Sequence, residues 1–103
     1  MALRRVRVAG VADVPPGEGR VVDADGRQLA VFNVDGAFHD IDNTCPHRGG
    51  PLGDGDLEGS VVSCPWHAWR WDVTTGANVN NPALRVACVP LAVEDGALWV
   101  ELP

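Results

Sequence analysis

Apolar and polar residues alternate along most of this chain with the two-residue period of β-strands. Leu3 to Ala9 puts Val6 and Val8 on one side and Arg5 and Arg7 on the other, the pattern of a half-buried strand. Gly10 ends it, and Val14 to Gly19, with two prolines and two glycines, reads as a loop. Arg20 to Asp23, a turn at Asp25-Gly26 and Gln28 to Val34 follow. In the last of these, Ala30, Phe32 and Val34 share one face and Leu29 and Val31 the other, so the strand is predicted to be central in its sheet. Asp35-Gly36, a hairpin signal that requires positive φ, leads into Ala37 to Asp42. Further on, Trp69 and Trp71 alternate with Arg70 and Asp72 across Ala68 to Val73, and a loop spans Asn78 to Pro82. Arg85 to Val93 is an apolar run bent at Pro90; after Asp95-Gly96, Ala97 to Leu102 closes the chain with Leu98 and Val100 on one face. The longest runs free of glycine and proline, such as Trp66 to Thr75, leave no room for a long helix. Short strands with regular turns predict an all-β fold, an antiparallel sandwich or barrel.

A length of 103 residues sets a single domain over 1–103, enough for a real core but not for a second catalytic module. Net charge is −6 and all eight basic residues are arginines, dispersed rather than clustered. That balance argues against nucleic acid or anionic lipid as a ligand and suits docking to a basic protein surface. No apolar run approaches the roughly 20 residues of a membrane span, and no apolar stretch follows the N-terminal arginines as in a signal peptide. Three cysteines, an odd number, do not make a secreted disulfide framework, so the expected address is the cytoplasm.

The chemistry lies in two short motifs, Cys45-Pro46-His47-Arg48-Gly49-Gly50 and Cys64-Pro65-Trp66-His67. Each offers one thiolate and one imidazole, and an acidic, glycine-rich insert separates them. This soft and borderline donor set suits zinc, copper or iron–sulfur chemistry rather than magnesium or calcium. A structural Cys₂His₂ zinc site is one reading of it. Zinc spacings, however, usually pair cysteine with cysteine and histidine with histidine, whereas here each loop mixes the two, an order better matched to a two-centre cluster straddled by both loops. Pro46 and Pro65 stiffen the loops, while Gly49 and Gly50 permit close approach of backbone N–H groups.

The paired motifs resemble the Rieske [2Fe–2S] signature, and the resemblance extends through Trp69, Trp71 and Asp72 to Asn80-Asn81-Pro82. It implies a Rieske-type fold, a β base with an inserted cluster-binding subdomain of two loops at approximately 43–72. It further implies that Cys45 and Cys64 bind one iron and His47 and His67 the other. With neutral imidazoles the oxidised cluster and its two thiolates sum to zero charge and reach −1 on reduction, where an all-cysteine cluster goes from −2 to −3. Less accumulated charge makes reduction easier, which places histidine-ligated clusters at about −150 to +300 mV. The sequence lacks the inter-loop disulfide and the serine and tyrosine hydroxyls of the high-potential respiratory members: Gly50, Trp66, Trp69 and Trp71 stand at those positions. A potential near the −150 mV end is the expectation.

Among Rieske proteins the chain is most similar to the small ferredoxin components of bacterial ring-hydroxylating dioxygenase systems. That similarity implies an electron carrier rather than an enzyme, taking electrons from a flavin-dependent ferredoxin reductase and passing them to a terminal oxygenase. The small subunit of assimilatory NAD(P)H nitrite reductase resembles the same pattern and is the alternative; a structural zinc module for protein contacts is a third. Elsewhere, Cys88 in its apolar run reads as a core hydrophobe, Trp99 as core, and His39 as a half-exposed strand residue. Asp54, Asp56 and Glu58 in the insert, with Asp40 and Asp42 before the first loop, read as a solvated acidic surface.

Overall fold

The computed structural model describes residues 4–46, 49–66 and 69–102. Among them nine strands pair entirely antiparallel, and the all-β expectation holds. The strands are β1 (Arg4–Gly10), β2 (Gly19–Ala24), β3 (Arg27–Val34), β4 (Ala37–Asp42), β5 (Asp56–Glu58), β6 (Val61–Ser63), β7 (Arg70–Asp72), β8 (Leu91–Glu94) and β9 (Ala97–Leu102). They form three three-stranded sheets, ordered β1-β9-β8, β2-β3-β4 and β5-β6-β7.

The central position of β3 organises the rest, because its two apolar faces feed two different cores. Leu29 and Val31 pack with Ala9, Val14, Val22, Ala24, Leu98, Val100 and Leu102, joining the middle sheet to the sheet of the two chain ends. Ala30 and Phe32 point the other way, into a core with Ile41, Cys45, Leu52, Val62, Cys64, Trp71, Val73 and Val86. Each large aliphatic or aromatic side chain fully buried here contributes about 1.5–3 kcal/mol. The three Asp-Gly pairs turn the hairpins as their residues dictate. Both positions have positive φ in each: Asp25 at 56° and Gly26 at 89°, Asp35 at 52° and Gly36 at 94°, Asp95 at 52° and Gly96 at 72°.

Four readings of the sequence need correction. The apolar run from Arg85 to Val93 is a strand only at its end, over Leu91–Glu94. Its earlier backbone groups are drawn off laterally, Val86 N–H to Gly76 O (2.8 Å) and Ala87 O to the Asp42 N–H (2.8 Å), so no continuous ladder forms. Cys88 is consequently exposed rather than core. Trp99 is half-buried, on the face of its sheet where the Arg5 guanidinium lies 5.1 Å from its ring centroid while pairing with Glu94 of β8.

Asp40 is the fourth correction. It is only 4% exposed, and its Oδ1 accepts the Val89 N–H at 2.8 Å, tying β4 to the segment before β8. Burial pushes its carboxyl up to about 6, against the lowering effects of the Val89 N–H and of Arg27. A carboxyl whose folded value lies above its unfolded value of about 3.9 favours the folded state most when protonated, so stability falls as pH rises from about 4 to 6. An Asp40→Asn protein, which keeps an acceptor for Val89, is therefore expected to gain about 2–3 kcal/mol over the parent at pH 7 and little at pH 4. Urea midpoints of the two proteins at both pH values test this; the same advantage at each pH would refute it.

Candidate metal centre

Both motif loops are closed at the neck by backbone hydrogen bonds. The first leaves β4 at Asp42; Thr44 pairs with Pro51 across its base, and the Cys45 N–H donates to Gly50 O at 2.9 Å. Gly49 turns the loop at φ +76°, and its N–H donates to Cys45 O at 2.7 Å. That amide is thus spent on the loop itself rather than held ready for a cluster sulfur. Behind the neck, buried Asn43 accepts the Gly53 N–H on Oδ1 (2.9 Å), while its backbone carbonyl takes the Leu52 N–H (2.7 Å). The second loop leaves β6 after Ser63 and returns into β7, with the Cys64 N–H donating to Trp69 O at 2.7 Å.

The loops meet at sulfur. Cys45 and Cys64 are both free thiols and almost fully buried, at 0% and 2% exposure. A Cβ placed on Gly50 of the first loop would lie 2.6 Å from Cys64 Sγ and 3.2 Å from Trp66 Cγ of the second, so the backbone of one loop rests directly on the other. Burial, then the hydrogen bond and charge of the adjacent Cys45 thiol, push the Cys64 thiol up, while the Trp66 N–H opposes them. Two such thiolates side by side in an apolar core need a cation between them, which iron supplies. The donor set therefore fits the sulfur half of an iron–sulfur centre. His47 and His67, expected as its nitrogen half, lie outside the described residues, as does Arg48.

The tryptophans divide. Trp66 is 50% exposed beside the loops; Trp69 is half-buried, its ring centroid 6.3 Å from that of Trp71; and Trp71 is wholly buried in the core with both cysteines. Of the acidic residues, Asp54, Asp56 and Glu58 are exposed as expected, and His39 is half-exposed. The β5–β6 hairpin and Leu52, fully buried beneath the loops, are features the sequence reading passed over as insert. The only signal was the isolated apolar residues Leu52, Leu57, Val61 and Val62 in the glycine- and aspartate-rich stretch.

A family model described as the Rieske [2Fe-2S] domain matches residues 4–90. The 3-phenylpropionate/cinnamic acid dioxygenase ferredoxin subunit of Escherichia coli (strain K12) is 35% identical over 103 residues, covering 98% of this chain and 96% of the relative. Among solved structures, the ferredoxin of carbazole 1,9a-dioxygenase from Nocardioides aromaticivorans IC177 superposes with a TM-score of 0.88 at 29% identity, covering 96% of this chain and 98% of that one. A chain from a complex of reduced oxygenase and oxidized ferredoxin in carbazole 1,9a-dioxygenase gives 0.84 at 31% identity, covering 93% and 91%.

Proposed function

Because this chain belongs to the Rieske [2Fe–2S] domain family, we propose that it holds one [2Fe–2S] cluster on Cys45, His47, Cys64 and His67 and carries single electrons from a flavin-dependent reductase to a terminal oxygenase. Bound there, the cluster would supply one-electron redox chemistry, and the protein positions it. On this reading residues 1–103 work as one unit, with approximately 43–72 as the cluster-binding part. The observation that carries the ligand assignment is the contact of the two loops at sulfur, where buried Cys45 and Cys64 face each other under Gly50. Two relatives support the direction of transfer: one is a dioxygenase ferredoxin subunit, the other a ferredoxin captured with its oxygenase.

The chain's own residues then perform three tasks. Cys45 and Cys64, closed off by Leu52, Val62 and Trp71, exclude water from the sulfur side. The short neck bonds at Cys45 and Cys64 hold both loops in one arrangement, which keeps the reorganisation on electron transfer small. Half-exposed Trp66 and exposed Pro46 and Pro65 give a partner an apolar contact at the loop tips. Among the described residues no helix is long and apolar enough to cross a membrane. A cytoplasmic site of action, beside the flavin-dependent reductase, completes the proposal.

Purified protein is expected to be red-brown and, after dithionite, to give a rhombic EPR signal of low average g. It should then accept electrons from a flavin-dependent ferredoxin reductase and reduce a ring-hydroxylating oxygenase. A colourless protein with one zinc per chain would overturn the reading; electron delivery only to a sirohaem nitrite reductase subunit would replace its acceptor.

A further inference from the structure

Among the described residues, one buried side-chain polar atom has no hydrogen-bond partner: Nε1 of Trp71. Leaving an N–H unpaired in an apolar core costs about 1–3 kcal/mol, and such orphans in a native fold call for an acceptor that the polypeptide alone does not supply. Backbone carbonyls next to Trp71 in sequence and around its bridge partner Asn78 each already take one N–H. Trp69 O takes the Cys64 N–H, Arg70 O takes the Val79 N–H at 3.0 Å, and Leu84 O takes the Asn78 N–H at 2.9 Å. The buried Asn78 side chain spends its Oδ1 on the N–H groups of Asn80 and Asn81. Within the core that encloses Trp71, the buried side chains are Ala30, Phe32, Ile41, Leu52, Val62, Val73 and Val86, which accept nothing, and the two cysteines. Among the described residues of that apolar cluster, the two cysteine sulfurs are the only side-chain acceptors.

We infer that the indole N–H of Trp71 donates a hydrogen bond to sulfur of the cluster centre, a thiolate of its ligands or a bridging sulfide, and thereby raises the reduction potential. The inference rests on the cluster reading above. Charge sets its sign. A donor aimed at sulfur stabilises the reduced centre, which carries the extra negative charge, more than the oxidised one, so it makes reduction easier. Trp71 is a positioning and tuning residue here, not an electron carrier. It places a donor at one of the positions where the missing hydroxyl points to a low potential.

The test is an EPR-monitored redox titration of the holoprotein and of W71F and W71Y. In W71F, which removes the donor and keeps a buried ring, the equilibrium constant for reduction is expected to fall about tenfold, about 59 mV for a one-electron couple. W71Y, which returns a donor, should recover at least half of that shift. The unsubstituted protein supplied with ¹⁵N-indole tryptophan should show a ¹⁵N coupling to the reduced centre in pulsed EPR, a readout that survives even if W71F fails to fold. A W71F midpoint equal to the parent's, or a labelled parent without any ¹⁵N coupling, would overturn the inference while leaving the cluster in place. A parent without the rhombic signal would overturn the cluster reading instead.

Discussion

A Gly50→Val protein is expected to purify with less than about a tenth of the parent's iron and without its visible absorption, while its far-UV circular dichroism stays that of a folded β protein. The reason is steric and local. A Cβ at residue 50 falls 2.6 Å from Cys64 Sγ, closer than real Cβ contacts, and a tight 3.2–3.3 Å from Cγ and Cβ of Trp66, and valine adds two more carbons. On the proposed assignment the displaced group is a ligand sulfur, so loop one must lift away from loop two, and thiolates separated from their partner ligands cannot close a two-centre cluster. The base has no such stake in residue 50, because β1 to β4, β8 and β9 pair without it. The neighbouring glycine supplies the control. At Gly49 a Cβ meets nothing closer than Thr44 Cγ2 at 4.0 Å, but φ is +76°. Gly49→Ala therefore costs about 1–2 kcal/mol of backbone strain and should keep its cluster. Full iron and an unchanged EPR signal in Gly50→Val would show that the loops meet differently.

These two glycines also mark what sequence alone makes legible. Their presence in the first motif says that backbone must come close to something; which glycine turns the loop and which yields to a sulfur is a matter of three-dimensional convergence between loops fourteen residues apart, Gly50 and Cys64. Local rules are read well: three Asp-Gly turns with positive φ at both positions, and a strand apolar on both faces that sits between two sheets. Short elements are read poorly. β5 and β6 hold three residues each, too few for alternation to show, and their pairing is set by packing of Leu57 and Val62 rather than by propensity. Composition misleads at Cys88 and Asp40, where an apolar run predicts core and an acidic one predicts surface. Their burial is inverted because the backbone of residues 86–89 bonds sideways to Gly76, Asp42 and Asp40, leaving Cys88 outside and Asp40 beneath. The paired Cys/His motifs, and with them the family, are legible because thiol and imidazole residues at set spacings need no long-range information to be recognised. The unpaired indole of Trp71 was invisible, since an orphaned N–H is defined by everything around it.

Phe32→Ala is expected to remove about 3–5 kcal/mol of stability, the cost of deleting a fully buried aromatic ring. Phe32 is 0% exposed, and its ring lies so close to the backbone of β2 that a Cβ on Gly19 would fall 2.4 Å from its Cε1. A domain of this size has roughly 5–15 kcal/mol in all, so the variant sits near the edge of folding at 37 °C. The same ring belongs to the core that contains Cys45 and Cys64, which makes a sharper expectation possible. Collapse of the vacated space can only draw on the walls of the metal centre, since the opposite face of β3 serves the other core. In a urea titration, loss of cluster absorption and loss of far-UV signal should therefore shift to lower urea together, with a common midpoint. Val93→Ala, at a half-exposed position on an outer strand, should leave both within about 0.5 kcal/mol of the parent. If Phe32→Ala instead lost its cluster well before its strands, the loops would be an independently stable layer. The shared strand β3 would then not be what couples the site to the fold.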